Sequence, residues 1–245
     1  LMAIVAYCGL PRSGKSYGVV ENVIVPSLKK GRTIVTNIPL KTGYLLDDYP
    51  NGKIITFTNK EALDTVKNGD VFFTEQRFPQ GSIFVIDECW RFWSSGMKAN
   101  NIPEAEKAFF TEHGHNVGDQ GFTSEIVLVT QGLNQVCAFV RDLIEETFIA
   151  KKLNALGMNN SYQVTCYERA AVGQKPNNTV IRTMQGTYKP DIYKYYKSHT
   201  KNKTDFAAGM EEKADGRGNA WKDPKVKYGF PIGILFLFYS LYSAY

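Results

Sequence analysis

The sequence predicts an α/β fold with a mostly parallel central sheet flanked by helices, and three observations point there. Short apolar runs recur at Ala3 to Cys8, Thr33 to Ile38, Ser82 to Asp87 and Glu125 to Thr130, largely continuous rather than alternating, as strands buried on both faces read. Helix-forming text separates several of these runs. The first run leads directly into Gly9-Leu-Pro-Arg-Ser-Gly14-Lys15-Ser16, a glycine-bounded loop in the strand, loop, helix order that cradles phosphate.

The chain has 245 residues, 43% hydrophobic and 22% charged, enough for one well-buried domain and incompatible with a disordered or fibrous chain. The net charge of +5 is concentrated near the end, where residues 189–227 hold ten Lys/Arg against six Asp/Glu. Because an apolar run follows, this excess reads as a positive membrane flank rather than a nucleic-acid patch. Cys8, Cys89, Cys137 and Cys166 are far apart, lack CxxC spacing and read as reduced, buried thiols. The apolar run at Ala3 to Cys8 is too short for a signal peptide core.

After the glycine-bounded loop, a helix is expected from Gly14 to Lys30, with Pro26 kinking its last turn and Gly31 closing it. Thr33 to Ile38 and Ile54 to Thr58 read as strands, and Asn59 as the cap of a short helix over Glu61 to Val66. Ser82 to Asp87 is the clearest buried strand. A helix around Glu104 to Phe110, a strand at Glu125 to Thr130 and a helix from Leu133 to Leu143 come next. Phe148 to Lys152, Tyr162 to Glu168 and Thr179 to Thr187 read as further strands, and Asp191 to Trp221 as a linker with at most one short helix. Phe230 to Tyr245 has no charged residue; sixteen residues rise about 24 Å, short of a hydrocarbon core about 30 Å thick. The predicted organisation is a body at 1–190, a basic juxtamembrane linker at 191–227 and a membrane segment at 228–245.

The chemistry converges on the loop. Gly9, Leu10, Pro11, Arg12, Ser13, Gly14, Lys15, Ser16 and Tyr17 form the expected phosphate-binding stretch, whose glycines let backbone N–H groups curl round phosphate oxygens at a helix N-terminus. Lys15 is expected to pair with the β- and γ-phosphates of ATP, and Ser16 to give its hydroxyl to Mg²⁺. Asp87 is the second expected Mg²⁺ residue. Glu88, one residue on, would polarise an attacking water. Gln131, just past another strand, is a candidate γ-phosphate sensor or a surface glutamine. Arg141 reads as either a finger reaching a neighbouring subunit's nucleotide or a partner of Asp142, and Arg12 as a second phosphate or finger candidate. His113 and His115 lack an evident third ligand and read as a structural loop.

These motifs, together with Thr36-Asn37-Ile38-Pro39, Ile86 to Trp90, Glu112-His113-Gly114-His115, Leu128 to Gln131, Val140-Arg141 and Tyr196 to His199, resemble those of the zonular occludens toxin (Zot) family, the assembly ATPases of filamentous phages. Gly114 is a departure, since such proteins often place arginine between the histidines. The resemblance implies a cytoplasmic P-loop ATPase domain of the HerA/FtsK-like ASCE type. It also implies a single C-terminal transmembrane helix in the host inner membrane, followed by a periplasmic region not present here. Members are expected to act as homo-oligomers, in ring form, with phage coat and other assembly proteins, and with packaged single-stranded DNA contacted directly or through those proteins. A nucleotide-gated assembly scaffold with little turnover is the alternative reading.

Overall fold

The computed structural model describes residues 4–74, 76–115, 117–153, 160–173 and 176–197. Its strands are β1 (Ile4–Cys8), β2 (Thr33–Thr36), β3 (Lys53–Thr56), β4 (Ile83–Asp87), β5 (Glu125–Val129), β6 (Glu146–Lys152), β7 (Ser161–Glu168) and β8 (Val180–Thr187). They form one eight-stranded sheet in the order β3, β2, β4, β5, β1, β6, β7, β8. The pairs from β3 through β6 are parallel, and β6 to β7 and β7 to β8 are antiparallel. The parallel strand ends therefore lie along one edge, with β5 alone between β1 and β4.

The apolar runs explain the two cores. Successive strand side chains point to opposite faces, so Phe84 and Ile86 join one cluster with Ile126, Leu128, Ala6 and Trp93. Ile83 and Val85 join the other, with Val127, Val129, Tyr17 and Leu28. The first helix covers this second face. It runs as α1 (Lys15–Val19), a π turn (Val20–Ile24) and α2 (Val25–Lys29). Pro26 has no N–H, and its ring crowds the carbonyl four residues back; the wider π turn accommodates this upstream of the kink expected in the last turn.

Other boundaries moved for local reasons. The strand expected through Ile38 stops at Thr36, where Thr36 Oγ1 accepts from Ile38 N and turns the chain. A helix absent from the sequence reading, α3 (Thr42–Asp48), buries only Leu45. The next, α4 (Asn59–Lys67), is capped by Thr58 in a capping box with Glu61, so Asn59 is its first residue rather than its cap. On the first face lie α5 (Glu104–Glu112) and α6 (Ala138–Asp142). The single helix expected over Leu133 to Leu143 is broken because Val136 leaves helical backbone to bridge Ser94.

Residues beyond 190, expected to begin a linker, instead strap the body through Lys197. The short helix α7 (Pro190–Tyr193) is followed by buried Tyr195 and Tyr196, and Leu40 pairs with Tyr196 across an isolated bridge. Among the described residues no helix is long and apolar enough to cross a membrane. The expected membrane segment at 228–245, most of the basic linker, and Ser198 and His199 lie outside the described residues.

Candidate phosphate-loop site

The loop from Gly9 to Ser16 leaves the C-terminal end of β1 and enters α1. Gly9 N donates to the carbonyl of Gln131 (3.3 Å) and Ser13 N to that of Leu10 (3.1 Å), which curl the loop. Two positions demand glycine. Gly9 has φ 146°, and a Cβ there would lie 2.6 Å from the Ala150 carbonyl of β6; Gly14 has φ 91°, and a Cβ would lie 2.5 Å from the Tyr188 hydroxyl. Arg12, exposed, also adopts left-handed backbone at φ 64°. Leu10 and Pro11 are exposed, whereas Ser13 is buried, with no hydrogen-bond partner for its hydroxyl among the described residues.

Lys15 folds back over the loop, its Nζ donating to Gly9 O (2.9 Å) and Leu10 O (3.1 Å). Burial lowers its pKa, and the charges of Asp87, Cys8 and Glu88 act in the opposite direction. That coupling places both acids in electrostatic reach of Lys15. Burial also pushes the neighbouring Cys8 thiol up to about 12. The Cys89 thiol is raised well above its ordinary value by burial, with smaller contributions from Cys8 and Asp87. All four cysteines are free and buried.

Asp87 ends β4 and Glu88 follows in left-handed backbone, φ 50° and ψ 42°. Glu88 N donates to Asp87 Oδ1 (2.9 Å), and the Glu88 carboxylate accepts from Arg91 Nε in an ion pair open to solvent. The Asp87 carboxylate and the Ser16 hydroxyl are hard oxygen donors of the kind Mg²⁺ takes. Asn37, quoted above only within a motif, contacts the same strand end. It accepts from Asp87 N (2.7 Å) and donates to Asp87 O (2.8 Å) and to Asn59 Oδ1 (2.6 Å). Its sequence signals were its place near the end of the Thr33 to Ile38 run and in the Thr36 to Pro39 motif.

The remaining candidates are scattered. Gln131 contributes its carbonyl to the loop, and its side chain is exposed. The Tyr17 side chain is buried in the second core, its hydroxyl accepting from Lys189 N (2.8 Å), so only its backbone belongs to the loop. Arg141 sits on α6, which leads past Glu145, whose N–H bonds Ile4 O at the start of β1, the end opposite the loop. No ion pair joins Arg141 to Asp142 among the described residues, as expected of adjacent helical positions that diverge. His113 is buried, its Nδ1 against Phe110 O (2.8 Å), and His115 is exposed. No group of three or more metal-ligating side chains occurs among the described residues.

A strand, glycine loop and helix at the edge of a parallel sheet, with two acids at the end of the next strand but one, define a phosphate-loop α/β protein. A family model described as zonular occludens toxin (Zot) matches residues 3–203, and the chain belongs to that family. It is 26% identical over 266 residues to the zona occludens toxin of Vibrio cholerae serotype O1 (strain ATCC 39315 / El Tor Inaba N16961), covering 99% of this chain and 61% of that one. It is 27% identical over 226 residues to the Gene 1 protein of Xanthomonas phage phiLf, covering 87% and 47% respectively. The chain thus spans between about half and three-fifths of these curated relatives. Among solved structures, it is similar to the N-terminal domain of zonular occludens toxin from Neisseria meningitidis, at 19% identity and TM-score 0.49, over 80% of this chain and all of that one. It is also similar to the genome packaging NTPase B204 of Sulfolobus turreted icosahedral virus 2 in complex with ATP-gammaS, at 14% identity and TM-score 0.43, over 74% and 97%.

Proposed function

We propose that this chain is the nucleotide-hydrolysing part of a membrane-anchored, oligomeric ATPase that couples ATP hydrolysis to filamentous phage assembly and extrusion through the host inner membrane. The observation that carries the ATPase reading is the convergence of Lys15, Asp87 and Glu88 at one edge of a parallel sheet. Membership of the Zot family and the likeness to a phage Gene 1 protein support the assembly role. The sheet order, with β5 between β1 and β4, supports placement in the HerA/FtsK-like class. The apolar stretch at 230–245 and its basic flank support anchoring.

In this reading Lys15 exchanges the Gly9 and Leu10 carbonyls for phosphate oxygens, and the N–H groups opening α1 receive the same anion. Ser16 and Asp87 would hold Mg²⁺, which when bound neutralises charge developing on the phosphates. Glu88 takes a proton from, or orients, the attacking water, and must release Arg91 to do so. That Arg91 pair is also what favours a second reading, a nucleotide-gated scaffold whose base is held away from water and which turns over little.

Phosphate release by the purified chain, compared with Lys15→Ala and Glu88→Gln, separates the two. A motor loses turnover in both, by about a hundredfold or more, and Glu88→Gln still binds nucleotide. A wild-type chain that binds nucleotide, assembles with it and shows no turnover would leave the scaffold; one that binds no nucleotide overturns both.

A further inference from the structure

We propose that Asn37 is a positioning residue for the nucleotide-bound metal, its side-chain amide holding Asp87 and the Asp87–Glu88 peptide where the two carboxylates can serve Lys15's ligand. The inference rests on the ATPase reading above and deepens it.

The ladder between β2 and β4 has its last pair at Thr36 and Val85. There Thr36 Oγ1 donates to Val85 O (2.7 Å) and accepts from Ile38 N (3.1 Å), so the β2 backbone turns away. Strand β4 runs on for two more residues. On that side the N–H and C=O of Asp87 would have no strand partner, a costly omission at the half-buried end of a buried strand. Asn37 supplies both hydrogen bonds from one amide, the pair a continued β2 would have made. A second donor hydrogen of the same Nδ2 reaches Asn59 Oδ1 at the start of α4, which fixes the amide's rotation.

What the amide fixes is more than a strand end. The peptide joining Asp87 to Glu88 has its oxygen held by Asn37 Nδ2 and its N–H held by the Asp87 carboxylate. Glu88 sits beyond it in the left-handed region, which non-glycine residues occupy only when their surroundings impose it. Rotation of that peptide would take its N–H away from the Asp87 carboxylate and change the backbone angles that set Glu88. Both polar atoms of the Asn37 amide are engaged by Asp87 and Asn59, so it acts through Asp87, as outer partners of metal ligands do.

The test is binding of a fluorescent ATP analogue to the purified full chain, with Mg²⁺ and with EDTA, alongside steady-state hydrolysis. Asn37→Ala should bind the analogue in EDTA within about twofold of wild type, yet lose about tenfold or more of the affinity gained from Mg²⁺. Its kcat should fall by a similar factor with KM little changed. Asn59→Ala, which leaves both bonds to Asp87, should shift the same quantities in the same direction by less, and it carries the test if Asn37→Ala does not fold. Wild-type Mg²⁺ enhancement in the folded variants, or equal losses with and without Mg²⁺, overturns the positioning role. A wild-type chain that binds no nucleotide overturns the ATPase reading and this inference together, whereas normal wild-type behaviour matched by Asn37→Ala overturns the inference alone.

Discussion

In the parallel part of the sheet β4 leaves only Asp87 short of full burial and β5 only Glu125, whereas in the antiparallel part seven of the eight residues of β8 are exposed. Between them β7 buries Ser161 and Cys166 and half-covers most of the rest. The gradient follows from what lies on each face. Helices, Trp93 and the first-face aromatics cover one side of β4 and β5, and α1 with α2 covers the other, while β8 pairs along one edge and has solvent on both faces. The site sits on β1, paired in parallel with β5 and β6, one strand inside the boundary at β6 where antiparallel pairing begins. Stability is thus concentrated on the acid-bearing side of the phosphate loop, and on the other side Ala150 of β6 and Tyr188 after β8 close on Gly9 and Gly14.

Trp93 gives the sharpest contrast. It is fully buried, packs on Phe73 and Phe110, and donates from Nε1 to Glu106 (3.0 Å). Trp93→Ala should cost about 3 to 5 kcal/mol of unfolding free energy. Ile181→Thr on β8, where the side chain is 48% exposed, should stay within about 0.5 kcal/mol. Urea unfolding midpoints of the two variants check this, and comparable losses would show that β8 is covered by something in solution.

Tyr188 is the exception that joins the two parts. Its ring lies edge-on to Tyr17 (4.9 Å between centroids), its hydroxyl is 3.4 Å from Ser13 O, and it is nearly fully buried. The residue after it is tied down as well, since Lys189 pairs with Glu21 (2.8 Å). Tyr188→Ala should lose about 3 kcal/mol of stability and weaken nucleotide binding several-fold through the loop it supports, while Tyr188→Phe, keeping the ring, should cost under about 1 kcal/mol. Nucleotide titrations at matched folded fraction separate the two effects. Equal affinity for Tyr188→Ala and wild type would mean that the loop holds its shape without the strap.

The same division governs how much was legible in the sequence. Strands buried on both faces announce themselves as apolar runs, and β1, β4 and β5 fall within a residue or so of the runs that predict them; the places of Lys15 and Asp87 in the fold were legible because one lies just past the loop after such a strand and the other ends one. Features settled by distant partners were not. The strap at 191–197 reads as charged linker text, yet Tyr195 O receives Lys41 N (2.7 Å) and the Tyr195 hydroxyl donates to Asp48 (2.6 Å). Glu88 gives no hint in one dimension of its left-handed backbone. Asn37 looks like any polar residue near the end of an apolar run, because the Asp87 backbone that it bonds lies fifty positions away. Helix α6 was over-extended because Leu133 to Leu143 carries helical text, which extended backbone at Val136 and Cys137, bonded to Ser94 and Trp93, interrupts.

The smallest expected effect probes the covering layer over the parallel strands. Glu106 is buried on α5, and burial raises its pKa, opposed by the hydrogen bond from Trp93. A carboxyl raised in the folded state keeps its proton to higher pH than the unfolded chain does. Its contribution is therefore most favourable below the ordinary carboxylate pKa, and declines as pH rises through the window between that value and the raised one. Glu106→Gln retains an oxygen for the Trp93 N–H and cannot ionise. The stability of the variant relative to wild type should accordingly climb from pH 4 towards pH 8, a trend that the other titrating groups share between the two proteins and so cancel. A difference that stays flat, or that moves in favour of wild type with rising pH, would mean that the layer over the parallel strands admits enough water to hold this charge, and would narrow the contrast with β8.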